Sequence, residues 1–388
     1  LGEQVRQAVE RLLLDVDRAK RKNTDFFEPV YNDPASGELL SEKDVLSALY
    51  QAATRMVMRM VVVLFAEARG LLPRNIETYN SSYGVEGLFS ELTNVRSSEG
   101  IRAMEERFSA WSRLLSLFNL LYYGSAHPRV PVPAYGGMLF RPGDASSPDP
   151  VFRALSLFSS PEYEISDRSV LKILELLKIG KLKIRKGRAA AIVSGPVDFS
   201  DLRTEYIGIM YEGLLDFELK QTYEPMVFLN IGQEPVLPVG VLERMNDKDL
   251  KELLQELKKE TSAGPASGGD ESEEAEDETA EEDLEDDTGE PSTEDELAPD
   301  EDETAEPEPT EDEEEDLPLS QAEKERNRVH EWALRAVEVA GFVKKPRGRN
   351  PNLYQFEKDR QKAARNLVSR VLSAGELYLV SSGGTRKG

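Results

Sequence analysis

The sequence predicts a mainly α protein: a helical bundle with a small β-hairpin, a long disordered acidic insertion and a short α+β piece at the C-terminal end. Three observations carry this. Apolar residues recur every three or four positions through much of the chain. One stretch, KLKIRKGRAAAIV, alternates instead. Residues 261–320 hold 29 Asp and Glu and no Lys or Arg. The expected division is a helical domain over 1–260, an acidic linker over 261–318, and a basic helical segment with a strand over 319–388.

The first helix is marked by Val5, Val9, Leu12, Leu13 and Val16 at helical spacing. Ser41 and Asp44 form a capping box, and Val45, Leu49, Ala53, Met56, Val57, Met60, Leu64 and Ala68 continue a long, mostly buried helix to Gly70 and Pro73. Another helix is expected through Ile101, Met104, Phe108, Trp111, Leu115, Phe118 and Tyr122 to Gly124. HPRVPVPAYGGMLF, with three prolines and a Gly pair, reads as non-helical. After a helix over Leu171–Leu177, Leu182 and Ile184 alternate with Lys181, Lys183 and Arg185 as a basic-faced hairpin. Ser200 then reads as the N-cap of a helix whose stripe is Tyr206, Ile207, Met210, Tyr211, Leu214 and Leu215, closing through DFELK.

Residues 248–259 read as a charged helix. The Glu/Asp/Pro/Ser/Thr tract after it cannot bury enough apolar surface to offset chain entropy, so it is expected to be disordered and extended by self-repulsion. Order resumes with a Ser320–Glu323 capping box and the stripe Val329, Trp332, Ala333, Ala336, Val337 and Ala340, ended by Gly341. A basic loop, KKPRGRNPN, leads to a helix containing Leu367, Val368, Val371 and Leu372 and then to the strand ELYLV.

The net charge of −25 belongs to one segment: outside 261–320 the chain holds 44 acids against 48 bases. Residues 321–388 carry 15 Lys and Arg against 7 acids. The folded parts are therefore mildly basic and suited to polyanions. The absence of cysteine excludes disulfides, Cys-based zinc sites and a thiol nucleophile from this stretch, and fits a cytoplasmic setting. Only His127 and His330 are available, far apart in sequence, which argues against a histidine metal site or a Ser-His-Asp triad. The opening helix is charged, unlike a signal peptide, and its first residue is Leu, as in an excised fragment. The most apolar run, VVVLFA, is far shorter than the roughly 20 residues of a membrane span.

Three basic groups are candidate nucleic-acid contacts: Lys181, Lys183, Arg185, Lys186 and Arg188 in the hairpin; Lys344, Lys345, Arg347 and Arg349 in the loop; and Arg386 and Lys387 at the end. Each also reads as ordinary solvated surface, and a basic sheet face is one way an open edge avoids aggregation. Asp216, Glu218 and Lys220 match the Glu-x-Lys pattern of Mg²⁺ nucleases, but at the end of a helix they read as a surface ion pair. Asn350–Tyr354 is a turn, and Trp111 and Trp332 lie in core stripes. No catalytic, cofactor or metal residue emerges from the pattern.

Five stretches carry a resemblance. RMVMRMVVVLFAEARGLLP (Arg55–Pro73), LLSLFNLLYYG (Leu114–Gly124), VPAYGGMLF (Val132–Phe140), ISDRSVLKILELL (Ile165–Leu177) and above all VDFSDLRTEYIGIMYEGLLDFEL (Val197–Leu219) resemble, in order, the helical region upstream of the methyltransferase domain in type IIG-like restriction-modification enzymes. The adenine methylases of BREX- and DISARM-type phage-defence systems are similar. The resemblance implies a parent enzyme that flips adenine from double-stranded DNA and methylates N6 with S-adenosylmethionine. The family's Phe-Tyr-Thr-Pro opening, Gly loop and Asn-Pro-Pro-Tyr loop do not occur in this chain, so no catalytic or cofactor residue is carried over and none of that cofactor is expected to bind here. On this reading YLVSSGGTRKG is the threshold of the catalytic domain, with other defence proteins as further partners. The family places that domain soon after the Tyr-Glu-Gly-Leu-Leu helix, and the acidic insertion departs from it. The alternative is a non-enzymatic adaptor whose acidic tract binds basic partners or mimics DNA.

Overall fold

A computed structural model describes residues 2–34, 37–186, 189–231, 235–260, 321–343 and 353–381. It is mainly helical, at 62% helix, with small antiparallel sheets. The elements run α1 (Gly2–Lys22), α2 (Glu28–Tyr31), α3 (Glu42–Ala68), α4 (Glu77–Ser82), α5 (Val85–Glu105), α6 (Ser109–Tyr123), α7 (Gly137–Phe140), α8 (Pro150–Leu157) and α9 (Asp167–Lys178). Next come β1 (Ile179–Lys186), β2 (Ala189–Pro196), α10 (Thr204–Leu215), β3 (Phe217–Gln221), β4 (Met226–Leu229) and β5 (Val236–Pro238). Then follow α11 (Val239–Arg244), α12 (Asp247–Glu260), α13 (Gln321–Val339), α14 (Leu353–Leu367), β6 (Val368–Leu372) and β7 (Leu377–Ser381).

The chain forms two compact units, 1–224 with 374–388, and 225–373. This differs from the division expected from composition. The break near residue 260 falls inside the second unit, because Leu250 and Leu254 of α12 share a core with Val329, Trp332, Ala333, Ala336 and Val337 of α13. Burial joins what charge composition separated.

In the first unit, α3 is the central element. Ser41 caps it as the sequence predicts, its Oγ accepting from Asp44 N at 3.2 Å. Val45, Leu49, Ala53, Met56, Val57, Met60 and Leu64 are all buried, beside Val5, Val9, Leu12 and Val16 of α1. By length and composition α3 could cross a membrane, but 78% of its apolar window is buried within the protein, which makes it a core helix. Buried cations lock loops onto this core. The Arg59 guanidinium donates to Leu139 O at 2.7 Å and Arg141 O at 2.6 Å. Arg153, 0% exposed, donates to Ser147 O at 2.7 Å and Pro148 O at 3.0 Å. Burial lowers the Arg59 pKa to about 10.

Several local expectations give way to tertiary structure. The helix expected through Phe108 is two helices. Phe108 is a non-helical N-cap (φ −134°), and Asp167 of α9 caps α6 from outside, its carboxylate accepting from Ala110 N at 2.8 Å and Ser109 Oγ at 3.1 Å. The proline-rich stretch is non-helical except for one turn, α7, with a tight turn closed by Val130 N on His127 O at 2.9 Å. Ser200 does not cap α10: it bonds Asp198, and the helix begins four residues later. Residues 217–221 and 368–372 are strands rather than helix ends; β3 pairs with β7, and β6 pairs with β4. The expected strand ELYLV is β7, and the Ser320 cap lies outside the described residues.

Candidate nucleic-acid interface

The basic hairpin grows directly from α9. The Ile179 N–H closes the last helical bond to Glu175 O, and the chain continues as β1 without a loop. Its base is tied down at three points. Val197 N donates to Lys178 O at 2.7 Å, Gln4 Nε2 donates to Ile179 O, and Lys178 Nζ sits 2.5 Å from Glu86 and 4.3 Å from the Phe89 ring centre. Such anchoring lets a two-stranded ribbon, marginal by itself, project from the bundle.

The antiparallel register pairs Lys181 with Ser194, Lys183 with Ile192 and Arg185 with Ala190. Lys181, Lys183 and Arg185 thus occupy alternate positions of β1, and Lys186 falls at the intervening parity. Alternate positions of a strand rise about 6.6 Å, close to twice the axial spacing of phosphates along one DNA strand. β2 contributes no charge to either face. Arg188, Lys344, Lys345, Arg347, Arg349, Arg386 and Lys387 lie outside the described residues.

Glu218 and Lys220 sit on β3, so the helix argument against a Glu-x-Lys metal site falls away. Among the described residues, however, no group of three His, Cys, Asp or Glu side chains could hold a metal ion. His127 is a turn residue, its Nδ1 accepting from Arg129 N at 3.2 Å.

Two features were not singled out from the sequence. In α10, Met210 and Leu214 are buried, and Tyr50 donates to Leu214 O at 2.5 Å, but Tyr206, Ile209, Tyr211 and Leu215 are exposed. The helical stripe read from the sequence is therefore buried only at Met210 and Leu214, and Tyr206, Tyr211 and Leu215 form an apolar surface with Ile209. Burial pushes the Tyr50 hydroxyl up to about 12. The second feature is a cleft lined by Arg11, Arg18, Lys22 and Arg168. Its α1 members follow an i, i+7, i+11 spacing that is visible in the sequence once helix faces are compared for charge as well as apolarity.

Compared with protein families, with characterised proteins and with solved structures, the chain gives no match.

Proposed function

We propose that this chain is the non-catalytic helical region of a cytoplasmic, S-adenosylmethionine-dependent DNA adenine-N6 methyltransferase of restriction-modification or phage defence. It supports a catalytic domain elsewhere in the protein and touches the DNA backbone through the β1/β2 hairpin. The observation that carries the DNA contact is the paired strand β1, in which Lys181, Lys183 and Arg185 recur at every second position. The exposed apolar face of α10, within the stretch that most resembles the family, supports the docking of a further domain. The methyl donor belongs to that domain, and no residue of this chain is assigned to it.

The test is duplex binding by fluorescence anisotropy across a salt series. Neutralising three phosphates contributes about 2.7 to the slope of log affinity against log salt, roughly 40-fold over a fourfold change in salt. Reversing Lys181, Lys183 and Arg185 to Glu should remove at least that share. An unchanged slope sinks the contact.

A second reading, an adaptor acting through its acidic tract, is favoured by one observation: α12 and α13, which flank the tract, share one core. Replacing 261–320 by a short Gly/Ser connection separates the two. A methyltransferase region keeps its DNA affinity, whereas an adaptor loses its basic partner in a pull-down.

A further inference from the structure

A cleft of about 380 Å³ opens in the first unit between α1, the end of α5 and the start of α9, lined by Arg11, Arg18, Lys22, Arg168, Glu105 and Phe108, with Glu164 and Ser166 completing the wall. Its volume lies within the roughly 300–1,000 Å³ typical of small-molecule sites. Four cations face two carboxylates. Arg11 and Arg18 are held from behind: Arg11 Nη2 donates to Ser169 Oγ at 3.0 Å, and Arg18 Nη1 donates to the buried Asp15 at 2.7 Å. These bonds fix two of the four cations, and the Arg18 side chain is itself 56% exposed.

The other two cations are held differently. Lys22 Nζ meets Glu164 at 2.7 Å with side-chain exposures of 68% and 50%, and Arg168 meets Glu105 with both side chains exposed. Exposed ion pairs are weak and exchangeable, so an anion can take either cation from its carboxylate. Phe108 is held outside both flanking helices by the break between α5 and α6, and the residue is 46% exposed beside the cations. A flat apolar ring next to convergent cations suits a ligand with a phosphate at one end and an aromatic base at the other. Ser166, the N-cap of α9, brings the positive end of that helix to the same wall.

We propose that this cleft binds a nucleotide unit, its phosphate on Lys22, Arg168, Arg11 and Arg18 and its base against Phe108. The inference goes beyond the hairpin reading and stands without it. The source is a free nucleoside phosphate or a nucleotide of a nucleic acid, and the test separates them.

Titrate the full chain with ATP, with inorganic phosphate and with a short DNA duplex at low salt. ATP is expected to bind saturably, with phosphate competing. K22A/R168A should weaken ATP binding about tenfold per removed cation. Both side chains are exposed, so the far-UV circular dichroism should be unchanged. F108A should weaken ATP while leaving phosphate affinity as in the wild type, a split that a structural role for Phe108 would not produce. Displacement of bound duplex by ATP assigns the cleft to nucleic acid; ATP binding without displacement assigns it to a free nucleotide. The Lys181, Lys183 and Arg185 reversal should abolish the hairpin's duplex contact and spare ATP, so the two readings fail separately. No saturable binding of ATP or phosphate, or wild-type affinity in K22A/R168A, overturns the proposal.

Discussion

Glu67 should be among the most costly side chains to remove from the first unit. The N-cap of α5 is Gly84, which offers no side chain to the unpaired amides of the first turn. Glu67, in the last turn of α3 and only 2% exposed, does the capping instead. Its Oε1 accepts from Val85 N at 2.8 Å and from Tyr79 Oη at 3.0 Å, and its Oε2 accepts from Glu86 N at 3.1 Å. A hydrogen bond to a charged group contributes about 1.5–3 kcal/mol, and a lost cap costs about 0.5–2 kcal/mol. Glu67→Ala leaves two amides and a buried hydroxyl without their acceptor. The expected loss is about 3–5 kcal/mol, or roughly 10 °C in the melting of a unit this size. Glu67→Gln retains the Oε1 contacts and forfeits one bond, at about 1–2 kcal/mol. Thermal unfolding followed by circular dichroism measures the totals, and hydrogen exchange at Val85 and Glu86 locates them. A Glu67→Ala shift under about 2 °C, or unchanged exchange at those two amides, refutes the capping argument.

Gly143→Ala should destabilise the first unit by about 1–3 kcal/mol or more, because a Cβ there would lie 2.2 Å from Ser156 N and 2.4 Å from Leu155 C, both backbone atoms. Chemical denaturation measures it, and a change within error would show that α8 can shift aside. Arg153→Met should cost about 3–5 kcal/mol by leaving Ser147 O and Pro148 O without their buried donor; an unaltered denaturation midpoint would contradict this. Burial holds the Asp15 carboxyl above the usual range, against the pull of Arg18 and Arg11. The folded state then binds that proton more tightly than the unfolded chain, so the charge costs stability above the folded pKa and the cost fades as pH falls through it. The melting advantage of Asp15→Asn over wild type should therefore shrink on acidification, and an advantage that widened would reverse the sign.

What the sequence made legible follows from where each signal resides. The 3.6-residue stripes of α1, α3 and α13 are properties of one segment, and the cap at Ser41 is read within four residues. The break at Phe108 was not legible, because its stabilising carboxylate, Asp167, is 57 residues from Ala110. β3 and β6 were read as helix ends because each follows a helix with almost no connection; only pairing with β7 and β4 makes them strands. The hairpin's alternation, with Lys186 at the parity opposite to Lys181, Lys183 and Arg185, was legible in the sequence, and the structure adds the pairing of β1 with β2. The cleft joins α1 to α9, more than 140 residues apart, so its cations could not be grouped along the chain.

The position of the acidic tract bears on what its charge is for. In the second unit, Arg328 bonds Glu243 and Arg335 bonds Asp247 at 2.6 Å, while Lys258 stacks 5.3 Å from the Phe342 ring centre. Residues rising in number along 243–258 thus meet residues rising along 328–342, which makes α12 and α13 parallel neighbours. The connection between them need only return along α13, about 28 Å for its 19 residues. An extended chain covers that in roughly ten residues. The sequence supplies sixty, with 29 carboxylates and no base. Reach therefore does not explain the length, and neither does joining the two compact units, because both ends of the tract belong to the second one. Lengthening a closed loop is thermodynamically mild, about 0.6 kcal/mol for each doubling, so such a tract can be carried at little cost to the fold. Its charge is the property left to account for it. That charge serves either as a solvating linker or as a site for basic partners, and both uses are open to an adaptor and to a methyltransferase region.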